Sequence, residues 1–166
     1  MKSRRRPQMV IGEARFTSRA FSNRWQVLVR GEMQATLQRD PSRHVSTALL
    51  ADGTALELAP EGWGTVVARA GEEEWGRIVR TSWWGRSWEL NAGGFACELR
   101  SDPLPRRWSI RIGSEPVGSL TGGRLTYNHL EIHTDIGVPL TALILAWHVL
   151  ARPWEQAAAP GTLVRR

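Results

Sequence analysis

One cysteine, one lysine and one tyrosine stand among the 166 residues. With Cys97 alone, no disulfide can form within the chain, and no cysteine-rich metal site can be built. Lys2 is the only lysine, so a glycine-rich phosphate loop with its lysine is excluded, and neither a dinucleotide fingerprint nor Gly-x-Ser-x-Gly occurs. No reaction motif is present, which points to a binding protein more than to an enzyme, with no cofactor. The opening Met1-Lys2-Ser3-Arg4-Arg5-Arg6-Pro7 is basic but has no apolar run behind it. It does not read as a secretory signal, and the expectation is a cytoplasmic protein, peripheral at a membrane if it meets one. The arginines at 4–6 read as a solvated end or as an electrostatic arm for phosphates.

What is present is tryptophan, arginine and alternation. Nine tryptophans suit half-buried strand faces. The net charge of +6 is carried by arginine, through a composition bias or through selection for an anionic partner. From residue 24 to 132 the chain runs in short period-two stretches. Trp25, Val27 and Val29 share one face, as do Met33, Ala35 and Leu37; Phe95, Cys97 and Leu99; and Trp108, Ile110 and Ile112. Such alternation, broken by Arg30-Gly31-Glu32 and Asp52-Gly53, marks antiparallel strands with one wet face joined by hairpins. About ten to twelve strands are expected. Cys97 reads as a small buried apolar side chain. An internal repeat, G-x-E-x-x-G-x-[I/L], joins 71–78 to 113–120 at an offset of 42.

Residues 138–151 break this rhythm. Leu140, Leu143, Ile144, Trp147 and Leu150 belong to a run with no polar face, Pro139 suits a first helical turn, and Arg152-Pro153 suits a stop. Fourteen helical residues span ~21 Å at ~1.5 Å each, short of the ~30 Å core of a bilayer, so a transmembrane span is not expected. A helix apolar on all sides must be covered on all sides. In a strand-rich chain a closed or nearly closed antiparallel β-barrel supplies that cover. The expected layout is a basic N-terminal tail over 1–14, one barrel domain over 15–156 with its core helix at 138–151, and a C-terminal tail over 157–166.

This layout resembles the tubby C-terminal-like superfamily, which includes the phospholipid scramblases, the LURP-one-related proteins and small bacterial members. The resemblance rests on Gly71-Glu72-Glu73-Glu74-Trp75-Gly76-Arg77-Ile78, on its partner at 113–120, and on 138–154. It implies a barrel of about twelve strands around a hydrophobic C-terminal helix. The functional residues of those families do not carry over. The lysines that tubby proteins use for phosphoinositides are missing here, and only Glu131 and Asp135 stand near the helix where scramblases carry an acidic calcium-binding segment.

Candidate site residues follow from charge and aromatics. Arg77, Arg80, Arg86, Arg106, Arg107 and Arg111 would form an anion-binding patch if the barrel brought them together beside Trp83 and Trp84. Arginine with aromatics suits phosphate-bearing partners, lipid headgroups before nucleic acid. Trp83 and Trp84 would equally anchor a protein partner. A cavity beside the helix near His148 would suit a small-ligand carrier or an enzyme. His129, Glu131 and His133 share the wet face of one strand and read as polar surface, not as a metal site. Glu72, Glu73 and Glu74 read as solvated turn charge.

Overall fold

The structure, a computed structural model, describes residues 8–19, 22–103, 106–123 and 128–158, with side chains to residue 151. The basic stretch at 4–6 and the chain beyond 158 lie outside the described residues. Twelve strands and one helix follow in order: β1 (Met9–Ser18), β2 (Arg24–Val29), β3 (Glu32–Asp40), β4 (Val45–Leu50), β5 (Ala55–Pro60), β6 (Thr65–Ala70), β7 (Glu73–Arg80), β8 (Ser87–Ala92), β9 (Phe95–Ser101), β10 (Arg107–Ile112), β11 (Glu115–Gly122), β12 (His129–Pro139) and α1 (Leu140–Ala158). Each strand is antiparallel to its neighbours. β1 pairs with both β2 and β12, which closes the sheet into a barrel. Closure leaves no strand edge to recruit another chain.

Two boundaries differ from those expected. Residues 9–14 are not a tail: β1 starts at Met9 and pairs Val10 with Val138. Its inward positions include Gly12 and Ala14, too small to mark a hydrophobic face, while Met9 and Ile11 face outward, so the alternation is muted. The helix begins two residues later than the apolar run, because Val138 and Pro139 close the β1–β12 ladder. It then passes Pro153 and ends at Ala158. Proline removes one ladder hydrogen bond, and helix formers such as Glu155, Gln156 and Ala157 carry the helix on.

The barrel's two ends are built differently. At one end the chain turns in two residues at 30–31, 71–72, 93–94 and 113–114, and in four at 51–54. Gly93 and Gly94 show why: φ is 57° and 82°, the paired left-handed geometry that a two-residue hairpin turn needs. At the other end the connections 19–23, 41–44, 61–64, 81–86, 102–106 and 123–128 are longer. The termini of the barrel strands therefore divide into a tight-turn end and a loop end.

The internal repeat is structural, and it has a third copy. In the hairpin of β6 and β7, Ala68 faces Gly76 and Arg69 faces Glu74, so Trp75 is bulged out. Forty-two residues on, Ile110 faces Gly118 and Arg111 faces Pro116, so Val117 is bulged out. Forty-one residues before, Val27 faces Ala35 and Leu28 faces Met33, so Gln34 is bulged out. One four-stranded unit thus recurs three times around the barrel. The third copy escapes the motif because Arg30 and Ala35 stand where the others have glycine.

Those glycines mark close approach. A Cβ on Gly76 would lie 2.9 Å from the Asn91 carbonyl oxygen and 3.1 Å from Leu145 Cδ1; one on Gly118 would lie 2.6 Å from the His133 carbonyl oxygen. Gly76→Ala is expected to lower stability by about 1–3 kcal/mol through overpacking. A urea midpoint equal to that of the unaltered protein would contradict this packing.

Residues 140–151 of α1 are buried without exception. Their neighbours come from the inward side chains of many strands. The Trp147 ring lies 6.4 Å from Phe16 on β1 and 5.6 Å, edge-on, from Trp25 on β2. Arg39 on β3 donates to the His148 carbonyl at 2.9 Å and lays its guanidinium over Trp147 at 5.6 Å. Ser46 Oγ on β4 meets His148 Nδ1 at 2.6 Å. His148 is thus buried and hydrogen-bonded, as a polar group within an apolar run must be.

Candidate functional site

The loop between β7 and β8 is shaped by its own polar groups. Ser82 Oγ accepts from the backbone N–H of Arg86 at 2.8 Å and of Ser87 at 3.0 Å. Gly85 supplies a left-handed residue, with φ of 65°. Arg80, at the end of β7, donates from Nε to the Ser82 carbonyl at 3.1 Å and from Nη2 to the Trp83 carbonyl at 2.7 Å. With its carbonyls held from below, the loop turns Trp83 and Trp84 outward, where they are 76% and 79% exposed.

A third indole joins them. The loop between β5 and β6 reads Glu61-Gly62-Trp63-Gly64, and both glycines take positive φ. Trp63 is 73% exposed. Its ring lies 6.3 Å from that of Trp83, and the Arg80 guanidinium lies over it at 5.5 Å. Sequence reasoning missed Trp63. The signal was its position between two glycines, which removes it from any alternating strand face. Beneath these rings lies a cavity of about 650 Å³, lined by Trp63, Trp84, Trp88, Trp108 and Arg80 and by His148 to Leu150 of α1.

The six candidate arginines do not form one patch. Four belong to the loop end and two do not. Arg80 and Arg86 flank the tryptophan loop, and Arg86 is exposed. Arg106 donates to the Gly123 carbonyl, and Arg107 pairs with Asp102 at 3.3 Å, both at the next connection of the same end, three strands from Arg80. Arg77 stands on the outer wall between Glu74 and Glu61. Its hydrogen bond holds the Glu74 carboxyl below the ordinary value, and Arg77 itself is raised by the same bond. Arg111, near the tight-turn end, bonds Ser109 Oγ at 3.1 Å. The reason is topological: β8 and β9 separate β7 from β10, and a strand spacing of ~4.8 Å keeps their side chains apart.

The charges nonetheless divide between the ends. Arg19, Arg24, Arg43, Arg80, Arg86, Arg106 and Arg107 lie in or beside the longer loops, against Asp40, Glu61 and Asp102. Each of these acids is engaged. Asp40 accepts from Ser42 Oγ at 2.6 Å, which holds its carboxyl below the ordinary range; Glu61 pairs with Arg69 and Arg77; Asp102 pairs with Arg107. The tight-turn end carries Glu32, Asp52, Glu72, Glu73 and Glu115 against Arg30 and Arg111.

The remaining candidates are quieter. His129 bonds Glu131 and His133 bonds Asp135, each at 3.1 Å, as two separate pairs along β12. Among the described residues no group of three histidine, cysteine or acidic side chains is arranged to hold a metal ion. Cys97 packs against the core, partly buried, and burial pushes its thiol up to about 12 from 9.0. Below pH 9 both folded and unfolded chains keep that proton. As pH rises from 9 towards 12 the unfolded chain loses it first, so the thiol's contribution to stability is lost in that window. At pH 9, alkylation by iodoacetamide is expected to be slow in the folded protein and to rise across the urea transition. Labelling at the rate of a free thiol without urea would contradict the burial.

A solved X-ray structure of a protein from Arabidopsis thaliana has the same fold, with a TM-score of 0.56 over 91% of this chain and 94% of that one. The two share 10% of residues, so the likeness concerns the fold alone. No protein-family model and no curated protein matches the chain. Among the described residues no helix is long and apolar enough to cross a membrane.

Proposed function

We propose that this protein is a non-enzymatic binding domain of the tubby C-terminal-like type, with α1 filling the barrel as a rigid core. Its loop end docks on an anionic membrane surface from the cytoplasmic side. One observation carries this reading: Trp63, Trp83 and Trp84, all more than 70% exposed, stand together at the barrel end that also gathers arginine. Indoles have an apolar body and a polar N–H, which suits the boundary between water and lipid. Arginines near an anionic surface add about 1 kcal/mol each. The outer wall carries Glu57, Arg69, Arg77, Glu89 and Glu131, side chains costly on a lipid-facing barrel wall, which favours contact at one end over insertion.

Sedimentation with vesicles tests this directly. The protein is expected to pellet with phosphatidylcholine vesicles containing phosphatidylglycerol at low salt, to stay in solution with phosphatidylcholine alone, and to be released by high salt. Equal behaviour towards both vesicle types would contradict the proposal.

A further inference from the structure

The cavity under the tryptophans has the composition of a binding site in its own right, and we infer that it takes a planar aromatic anion, an aryl carboxylate or sulfonate. Four indoles line it, those of Trp63, Trp84, Trp88 and Trp108. Trp88 is fixed by an Nε1–H bond to the Gly85 carbonyl at 3.3 Å, and Trp108 packs against the core. Flat walls of this kind favour a flat guest, since offset or edge-on stacking adds about 0.5–1.5 kcal/mol per ring pair beyond burial. A volume of about 650 Å³ is in the range that holds small ligands.

The charge preference comes from Arg80. It is one of two related arginines: Arg39 and Arg80 lie at or next to the end of the third strand of successive repeat units, 41 residues apart, and each lies over an indole. Arg39 is buried against α1, where it holds the His148 carbonyl. Arg80 lines the cavity. Its Nε and Nη2 hold backbone carbonyls, while its Nη1 makes no hydrogen bond and no carboxylate lies within ion-pair distance of it among the described residues. Glycines make room for it: a Cβ at Gly64 would lie 3.2 Å from Arg80 Cβ, and one at Gly85 would lie 3.0 Å from Nη2. A held guanidinium with three N–H bonds left over, two on Nη1 and one on Nη2, beside aromatic walls, recognises one anionic oxygen group on a ring.

The inference does not require membrane docking, and its test contains no lipid. The probes are 8-anilinonaphthalene-1-sulfonate and its uncharged relative N-phenyl-1-naphthylamine, followed by energy transfer from tryptophan. One molecule of the sulfonate is expected to bind per chain, and naphthoate is expected to displace it more effectively than octanoate. Arg80→Gln should weaken the sulfonate about tenfold and leave the neutral probe within about twofold; Arg80→Lys should fall between. Trp88→Leu should weaken both probes. Unchanged sulfonate affinity in Arg80→Gln would overturn the inference. So would an equal loss of both probes in that variant, because Arg80 would then act through cavity shape, and so would better displacement by octanoate. Vesicle binding without probe binding would remove this site and leave the docking proposal standing.

Discussion

Trp147→Ala is expected to remove about 3–5 kcal/mol of stability, enough to bring a domain of ordinary stability near its unfolding point. Trp147 is fully buried, and its neighbours come from three different strands: Phe16 and Trp25 by ring contact and Arg39 by its guanidinium. Those neighbours sit on a closed sheet whose every strand is paired on both sides, so they cannot collapse into the space left behind. Removing the ring also strips the cover from the Arg39 charge, which then keeps its desolvation cost with less to offset it. Trp147→Phe, which retains part of the volume, should lose less. Urea unfolding measures both, and a loss below about 1 kcal/mol for the alanine variant would contradict the packing described.

The second large effect is on binding with no effect on folding. Trp83→Ser combined with Trp84→Ser should leave the urea midpoint within about 0.5 kcal/mol, because exposed side chains away from caps and cores contribute little. The same variant should bind anionic vesicles about 30–150-fold more weakly, if each indole contributes roughly 1–1.5 kcal/mol on leaving water. The comparison separates a surface used for docking from one that is merely apolar. A variant with unchanged vesicle affinity would remove these two residues from the contact, and a variant that unfolds early would show that the loop supports the barrel instead.

The fold was legible where chemistry repeats. Trp25 and Val27, or Trp108 and Ile110, announce a strand through alternation alone, and the run at 138–151, apolar apart from Thr141 and His148, announces a helix with no wet side. Small residues hid the rest. Gly12 and Ala14 silence the inward face of β1, and Arg30 and Ala35 hide the copy of the repeat at β2 and β3, where the other copies carry Gly71 and Gly76 or Gly113 and Gly118. The helix end at Ala158 was hidden by Pro153, since a proline lowers helix stability without dictating where the next hydrogen bonds form. The binding face was the least legible. Sequence proximity grouped Arg77 with Arg80, yet strand alternation sends them to opposite faces of β7, one to Glu74 on the wall and one to the rim. Conversely Trp63 and Trp83, twenty residues apart in sequence, come into ring contact only because consecutive loops emerge at the same end of the barrel.

Amide hydrogen exchange, compared with and without anionic vesicles, tests the docking face most directly. Slowed exchange is predicted in the loops at 61–64 and 81–86, with the turns at 51–54, 71–72 and 93–94 unchanged. Protection at those tight turns, or no protection anywhere, would contradict it.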